Sequence, residues 1–264
     1  DDVDEIARLA RKGLSIVIVD HHQSSEKALE KLRELNKIKI FWAATQSTPQ
    51  VLALALLSSL NSYEQLLVSV ANVCEGGGSP STAVKEIADK VKLVLAIEPT
   101  NTEFIIKTVE SVIKGEEFWN TQLFNDIYWK AKWLLNMLLK KMKGKAKTVC
   151  NWDVISFSSI ESMIFAGLFG VAATEYMRKV GRSVAVIREE EDKVVVTVRS
   201  AEKKALEICR AIISKLDPKH KGVFGGHREA ASLTIKKVFD LPEIERIVAE
   251  VVSADMCAKH EHMH

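Results

Sequence analysis

One carboxylate and two imidazoles stand in a row at Asp20, His21 and His22. Carboxylate oxygen and imidazole nitrogen together suit a metal cation, and imidazole also meets phosphate, so the triplet is a candidate metal or phosphate site. A second group with chemical reach lies near the other end, at Gly225-Gly226-His227-Arg228. Paired glycines let the backbone approach a bound anion closely, and a helix from about Arg228 would aim free amide groups at it beside the donors of His227 and Arg228. Arg199-Ser200, closing an earlier strand pattern, can bring a guanidinium to the same anion. Each has an ordinary alternative: a three-letter coincidence, a Gly-Gly turn, a plain strand end.

Other reactive types read as structural. Cys74 lies beside Glu75 with no histidine or other base near it in sequence, and a buried helix-end thiol is the expectation. His260, His262 and His264 alternate in a tail. Trp119, Trp129 and Trp133 are able to stack on bases, but their helical spacing predicts core packing.

The triplet needs a strand to carry it. Leu14-Ser15-Ile16-Val17-Ile18-Val19 is an apolar run, predicted as a strand over 14–19, and the carboxyl edge of such strands is where open α/β sheets hold ligands. Asp4 to Gly13 precedes it as an amphipathic helix stopped by glycine. A serine-capped helix from about 25 to 36 and a strand over 38–42 follow. Helical periodicity then takes over at 50–74, 82–97, 102–114 and 120–143, broken at Asn61-Ser62, at Gly76-Gly77-Gly78-Ser79-Pro80 and at Pro99-Thr100-Asn101. Two strands make too small a parallel sheet to bury the faces of so many helices. The expectation is that residues outside this sequence complete the sheet.

Helix 120–143 ends in a lysine-rich stretch, Lys130 to Lys147, and reads as a connector. Its charges suit phosphates or simply a solvated helix end. The second half is predicted as α+β: a strand over 149–157, a helix over 158–178 with a small-residue face at Ala166, Gly167, Gly170, Ala172 and Ala173, a hairpin of 183–188 with 193–199, a helix over 201–216, a strand over 233–238 and a last helix over 242–252.

Composition bounds the rest. With 264 residues and 47% of them hydrophobic, one large or two ordinary globular domains are expected. Lys plus Arg at 37 against Asp plus Glu at 35 gives a net charge of +2, which marks no general affinity for polyanions. Four isolated cysteines exclude a zinc knuckle or disulfide framework and suggest a reducing, cytoplasmic setting. No long uncharged apolar window suggests a membrane span or signal peptide.

Taken together, Asp20-His21-His22 after a parallel strand and Gly225-Gly226-His227-Arg228-Glu229-Ala230-Ala231 in a separate later domain resemble the DHH phosphoesterase superfamily with a DHH-associated C-terminal domain. RecJ-like exonucleases and oligoribonucleases are among its members. The resemblance implies an α/β fold with a partial parallel-sheet DHH domain at 1–118, a connecting helix at 119–147, and a smaller α+β substrate-binding domain with a mixed sheet at 148–264. It implies a Mn²⁺-dependent phosphodiesterase, with Mg²⁺ as the alternative ion, acting on single-stranded DNA or RNA or on short oligonucleotides, with replication or repair proteins as partners.

By that resemblance His21 ligates one metal of a two-metal site, Asp20 supports it and His22 faces the substrate phosphate. Arg199, Ser200, Gly225, Gly226, His227 and Arg228 hold the nucleotide, and the two domains close over it. The family's Asp-x-Asp motif and its next lone Asp have no counterpart in these 264 residues. Where its fourth acidic ligand is expected, either Asn72 or Glu75 stands. A degenerate, non-hydrolysing scaffold of a replication complex is therefore the rival reading.

Overall fold

The computed structural model describes residues 2–22, 25–216, 222–236 and 240–260. It forms two compact units, Asp1–Lys92 with Ile105–Thr121, and Leu93–Phe104 with Gln122–His264. The excursion of residues 93–104 into the second unit leaves no mark in the sequence pattern.

In the first unit, α1 (Asp2–Arg11), β1 (Ile16–Asp20), α2 (Glu26–Leu32) and β2 (Ile38–Trp42) build an αβαβ layer. β1 and β2 run parallel, Ile16 opposite Ile38 and Asp20 opposite Trp42, so the triplet emerges where Trp42 ends its neighbour. Ala7, Leu29 and Leu32 close a small core with Ile18, Ile38 and Ile40. Among the described residues β1 pairs with β2 alone, and Val17 on β1 is exposed. Ser25 does not cap α2 as predicted, because its hydroxyl bonds Asp20 instead. Four helices follow: α3 (Thr48–Leu56), α4 (Ser62–Cys74), α5 (Thr82–Ile97) and α6 (Thr102–Ile113). Asn61 divides the periodic stretch 50–74 by capping α4, its side chain accepting from the Glu64 amide while Glu64 reaches back to the Asn61 amide.

The second unit is a six-stranded mixed sheet covered on both faces. Its strands are β3 (Lys147–Val149), β4 (Trp152–Phe157), β5 (Ser183–Glu189), β6 (Lys193–Arg199), β7 (Gly222–Gly226) and β8 (Ala230–Lys236), in the order β3-β4-β5-β6-β8-β7. Only β4 and β5 pair in parallel. On one face Val154, Ala185, Ile187, Val196 and Val198 pack beneath α10 (Ala205–Lys215) and α11 (Leu241–His260). On the other, Ile155, Phe157, Val184 and Val186 pack beneath α7 (Gln122–Lys145) and α9 (Phe169–Val180). Because both faces are buried, the central strands are apolar at nearly every position instead of alternating.

Several predicted elements divide. The strand expected over 149–157 is the β3–β4 hairpin, turned at Cys150, whose φ is 53°. The helix expected over 158–178 breaks into α8 (Ser159–Ile164) and α9, with Gly167 between them at φ +80°. A Cβ on Gly167 would stand 1.6 Å from the carbonyl oxygen of Ala96, so glycine is required for this close approach. The helix predicted as a connector is built into the second unit's core through Ala131, Leu135, Leu138 and Met142.

Gly167→Ala should therefore cost about 3 kcal/mol or more, from backbone collision added to left-handed strain. Gly181→Ala, at φ +70° with nothing within 4 Å of the added carbon, should cost only about 1 kcal/mol. Urea denaturation midpoints of the two variants check the difference.

Candidate metal centre

Asp20, the last residue of β1, hydrogen-bonds the two histidines that follow it. Its Oδ1 accepts from the backbone N–H of His21 at 2.9 Å and of His22 at 3.3 Å, and lies 2.6 Å from His22 Nδ1. Burial pushes the carboxyl up, but hydrogen bonds from Ser25, from the His22 ring and from the two amides overcome it and hold the group at about 2. Asp20 is thus an ionised carboxylate at neutral pH. The two imidazoles lie 4.2 Å apart between centroids, and the Trp42 indole N–H donates to the His22 carbonyl at 3.0 Å.

Each of Asp20, His21 and His22 offers a ligand atom within 4.8 Å of the others, a group able to hold a metal ion. His21 Nδ1 hydrogen-bonds Thr48 Oγ1 at 2.9 Å. With that nitrogen engaged, Nε2 is the one left for an ion, the arrangement in which an outer partner fixes the ring of a ligating histidine. A carboxylate and two imidazoles fit Mn²⁺ in ligand type, and three donors leave further positions to water or phosphate.

Three consecutive residues fasten this edge to the end of α4. Thr48 holds His21; Ser47, fully buried, donates to Asn72 Oδ1 at 2.5 Å; Gln46 donates from Nε2 to the Glu75 carbonyl at 3.2 Å. Asn72, one of the two residues expected at the fourth ligand position, thus uses its amide oxygen to accept from a buried hydroxyl. Glu75 is exposed and does not join the Asp20-His21-His22 group. Gly77 is needed where this loop closes, since a Cβ there would lie 2.8 Å from the Asn72 carbonyl. Thr48 and Ser47 escaped sequence reasoning, marked only by the Ser-Thr-Pro start of a helix, and Ser25 was expected as a helix cap and not as a partner of Asp20.

In the second unit the topology gathers Arg199, Ser200 and residues 225–228 at one sheet end, where Arg199 pairs with Ala230 and Gly226 with Ala231. No helix begins at Arg228. Instead His227 to Ala230 is the tight turn of the β7–β8 hairpin, with the His227 N–H donating to the Ala230 carbonyl at 2.8 Å. The period-two burial of Ala231, Leu233 and Ile235 makes this stretch a strand. Gly226, at φ +131°, permits the closure: a Cβ would come within 2.4 Å of the Ala230 carbonyl oxygen. The turn is tied down by Ser200 N–H to the Glu229 carbonyl at 2.9 Å and Ala205 N–H to the Arg228 carbonyl at 2.8 Å. Gly225, His227 and Arg228 are exposed. Arg199 is mostly buried and donates to Thr174 Oγ1 and to the Gly170 and Val198 carbonyls, so it braces α9 against the sheet.

The remaining reactive side chains sort plainly. Burial pushes the Cys74 thiol up, and it donates to the Ala88 carbonyl. Trp119 is buried as predicted, whereas Trp129 and Trp133 are exposed, because α7 buries the opposite side with Phe124, Ile127, Ala131, Leu135 and Leu138. His262 and His264 lie outside the described residues. Among the described residues no helix is long and apolar enough to cross a membrane.

Residues 156–254 match the DHHA1 domain family. Over 96% of its length the chain superposes on RecJ of Thermus thermophilus, solved in complex with Mn²⁺, with a TM-score of 0.58 and 16% identity; it spans 47% of that protein. It also superposes on the pGpG-specific phosphodiesterase PggH of Vibrio cholerae, at TM-score 0.56 and 13% identity over 90% of this chain and 80% of PggH. A DHH domain from a member of the s1p family of ribosomal proteins matches at TM-score 0.51 and 14% identity, over 90% of this chain and 69% of the other. No curated protein matches by sequence. At these identities the likeness is one of fold, and the residues that match the DHHA1 model lie in the second unit.

Asp20 adds stability that is present above its unfolded value near 3.8 and lost as pH falls toward its folded value of about 2. Asp20→Asn should accordingly cost about 2 kcal/mol at pH 7, and the gap between wild type and variant should begin to narrow below about pH 4 and close only as pH approaches about 2. Urea midpoints measured from pH 7 to pH 2.5 check this.

Proposed function

We propose that the protein is a Mn²⁺-dependent phosphodiesterase that hydrolyses single-stranded nucleic acid or short oligonucleotides. The observation that carries the reading is the Asp20-His21-His22 group, with His21 turned by Thr48. Support comes also from the fold shared with RecJ, solved with Mn²⁺, and with the pGpG-specific phosphodiesterase.

In this reading Asp20 and His21 hold the ion. The bound metal supplies Lewis-acid charge at the phosphate and lowers the pKa of its water. Asp20 stays ionised through the working pH range, so its charge and its grip on the His22 ring do not vary with pH. In this reading His22 meets a phosphate oxygen, which is supported by the hold of Asp20 on its ring. Thr48 keeps His21 from rotating. In the second unit, the exposed hairpin turn at Gly225 to Arg228 offers backbone and side-chain donors to a nucleotide, and Arg199 acts by holding the sheet end in place.

A second reading, a non-hydrolysing family member that binds without cleaving, is favoured by one observation: the amide oxygen of Asn72 already accepts from Ser47.

The two separate in one assay, the full-length protein with Mn²⁺ and end-labelled oligonucleotides or pGpG. Hydrolysis is expected, with His21→Ala losing about 100-fold and Thr48→Val about tenfold. Hydrolysis that survives His21→Ala unchanged overturns the proposal; Mn²⁺ binding without any hydrolysis assigns the protein to the second reading.

A further inference from the structure

The outward side of α7 carries a feature that the metal centre does not use. Trp129 is 60% and Trp133 is 61% exposed, an uncommon state for two of the five tryptophans of the chain. They stand four residues apart, one helical turn and about 6 Å along the axis. Asn136 and Lys140 continue the same face at i+3 and i+7 from Trp133, and both are exposed. Lys132 sits over the Trp129 ring, its Nζ 4.9 Å from the centroid. Asp126 shares this side, and Gln122 donates to it at 2.7 Å.

The aromatic pair runs into a basic hollow. Between α7 and α9 lies a cavity of about 430 Å³, lined by Asn136, Lys140 and Lys143 from one helix and by Tyr176, Lys179 and Val180 from the other. That volume is in the range of small-ligand pockets. Lys179 pairs with Glu175 at 2.6 Å, while among the described residues neither Lys140 nor Lys143 is in an ion pair. The two lysines therefore face the hollow without a carboxylate to neutralise them.

We propose that this face of α7 is a binding track for single-stranded nucleic acid, with successive bases stacked on Trp129 and Trp133 and the backbone phosphates held by Lys140 and Lys143. Indole rings stack on any base because every base has a π-face, and adjacent cations supply the backbone attraction. An exposed ring pair without lysines would suit a protein partner equally, but here cations flank the rings and continue beyond them. Charge complementarity selects the polyanion. The track is in the second unit, needs no metal and does not depend on hydrolysis at the triplet.

The test is fluorescence anisotropy of labelled dT20 with the full-length protein in EDTA. Binding is expected. Trp129→Ala with Trp133→Ala should weaken it by about 30-fold or more, two stacks at about 1 kcal/mol or more each, with unchanged circular dichroism and Tm because both side chains are exposed. Trp133→Phe should retain affinity within a few fold. Lys140→Ala with Lys143→Ala should lower the slope of log K against log salt by about 1.4. Binding in EDTA, where no ion is available to the triplet, keeps this result independent of the hydrolytic reading. The proposal is overturned if wild type does not bind dT20, if the double tryptophan variant binds as tightly as wild type, or if that variant differs from wild type only in sedimentation mass, which would make the face a contact between copies.

Discussion

The Asp20 carboxylate is the interaction on which the candidate site depends. A strand that ends in an acid leaves backbone amides beyond it without ladder partners, and here the acid itself accepts from two of them and from the His22 ring. That sets the direction of the chain as it leaves the sheet and fixes where both imidazoles lie. Donors outweigh burial, so the group remains charged where a carboxyl in an apolar pocket would be neutral. The same charge that orders the turn is the one a divalent cation would meet.

A charge placed this way must be held from outside, and the residues from Gln46 to Thr48 do so. They open α3 and reach in two directions, to His21 and to the end of α4 at Asn72 and Glu75. The Ser47 hydroxyl has no access to water, so leaving Asn72 unable to accept would strand a buried donor. This coupling gives Asn72 a structural use where the family resemblance called for a ligand. It is the physical basis of both functional readings: the ring of His21 is well oriented, and one expected metal corner is occupied by an amide.

The second unit obeys a different constraint. Its sheet is covered by helices on both faces, and a fully buried acid, Asp153, beside the edge strand β3, is satisfied by Arg182, Tyr176 and Thr148. Gly167 admits the Ala96 carbonyl and Gly226 admits its own hairpin partner, so both glycines answer backbone proximity. Arg199, which looks from sequence like an anion donor, spends three hydrogen bonds on bracing α9.

The sequence by itself determined the fold class, the parallel pair β1–β2, the hairpin β5–β6 and the adjacency of Asp20, His21 and His22, because hydrophobic periodicity and strand-end position are local properties. It also carried the resemblance to a family, through two short motifs about 200 residues apart. Tertiary structure alone decided what each motif does in space. The Gly-Gly stretch became a hairpin end because its following residues alternate into a sheet whose partner strand, β6, lies far earlier in the chain, Arg199 opposite Ala230 and Lys193 opposite Lys236, a pairing that no local period reveals. Trp129 and Trp133 have the spacing of core residues, and only the burial of the opposite side of α7 sends them to solvent. Thr48 reaches His21 across 27 positions, a contact made by the folding of α3 against β1 and written in neither segment alone.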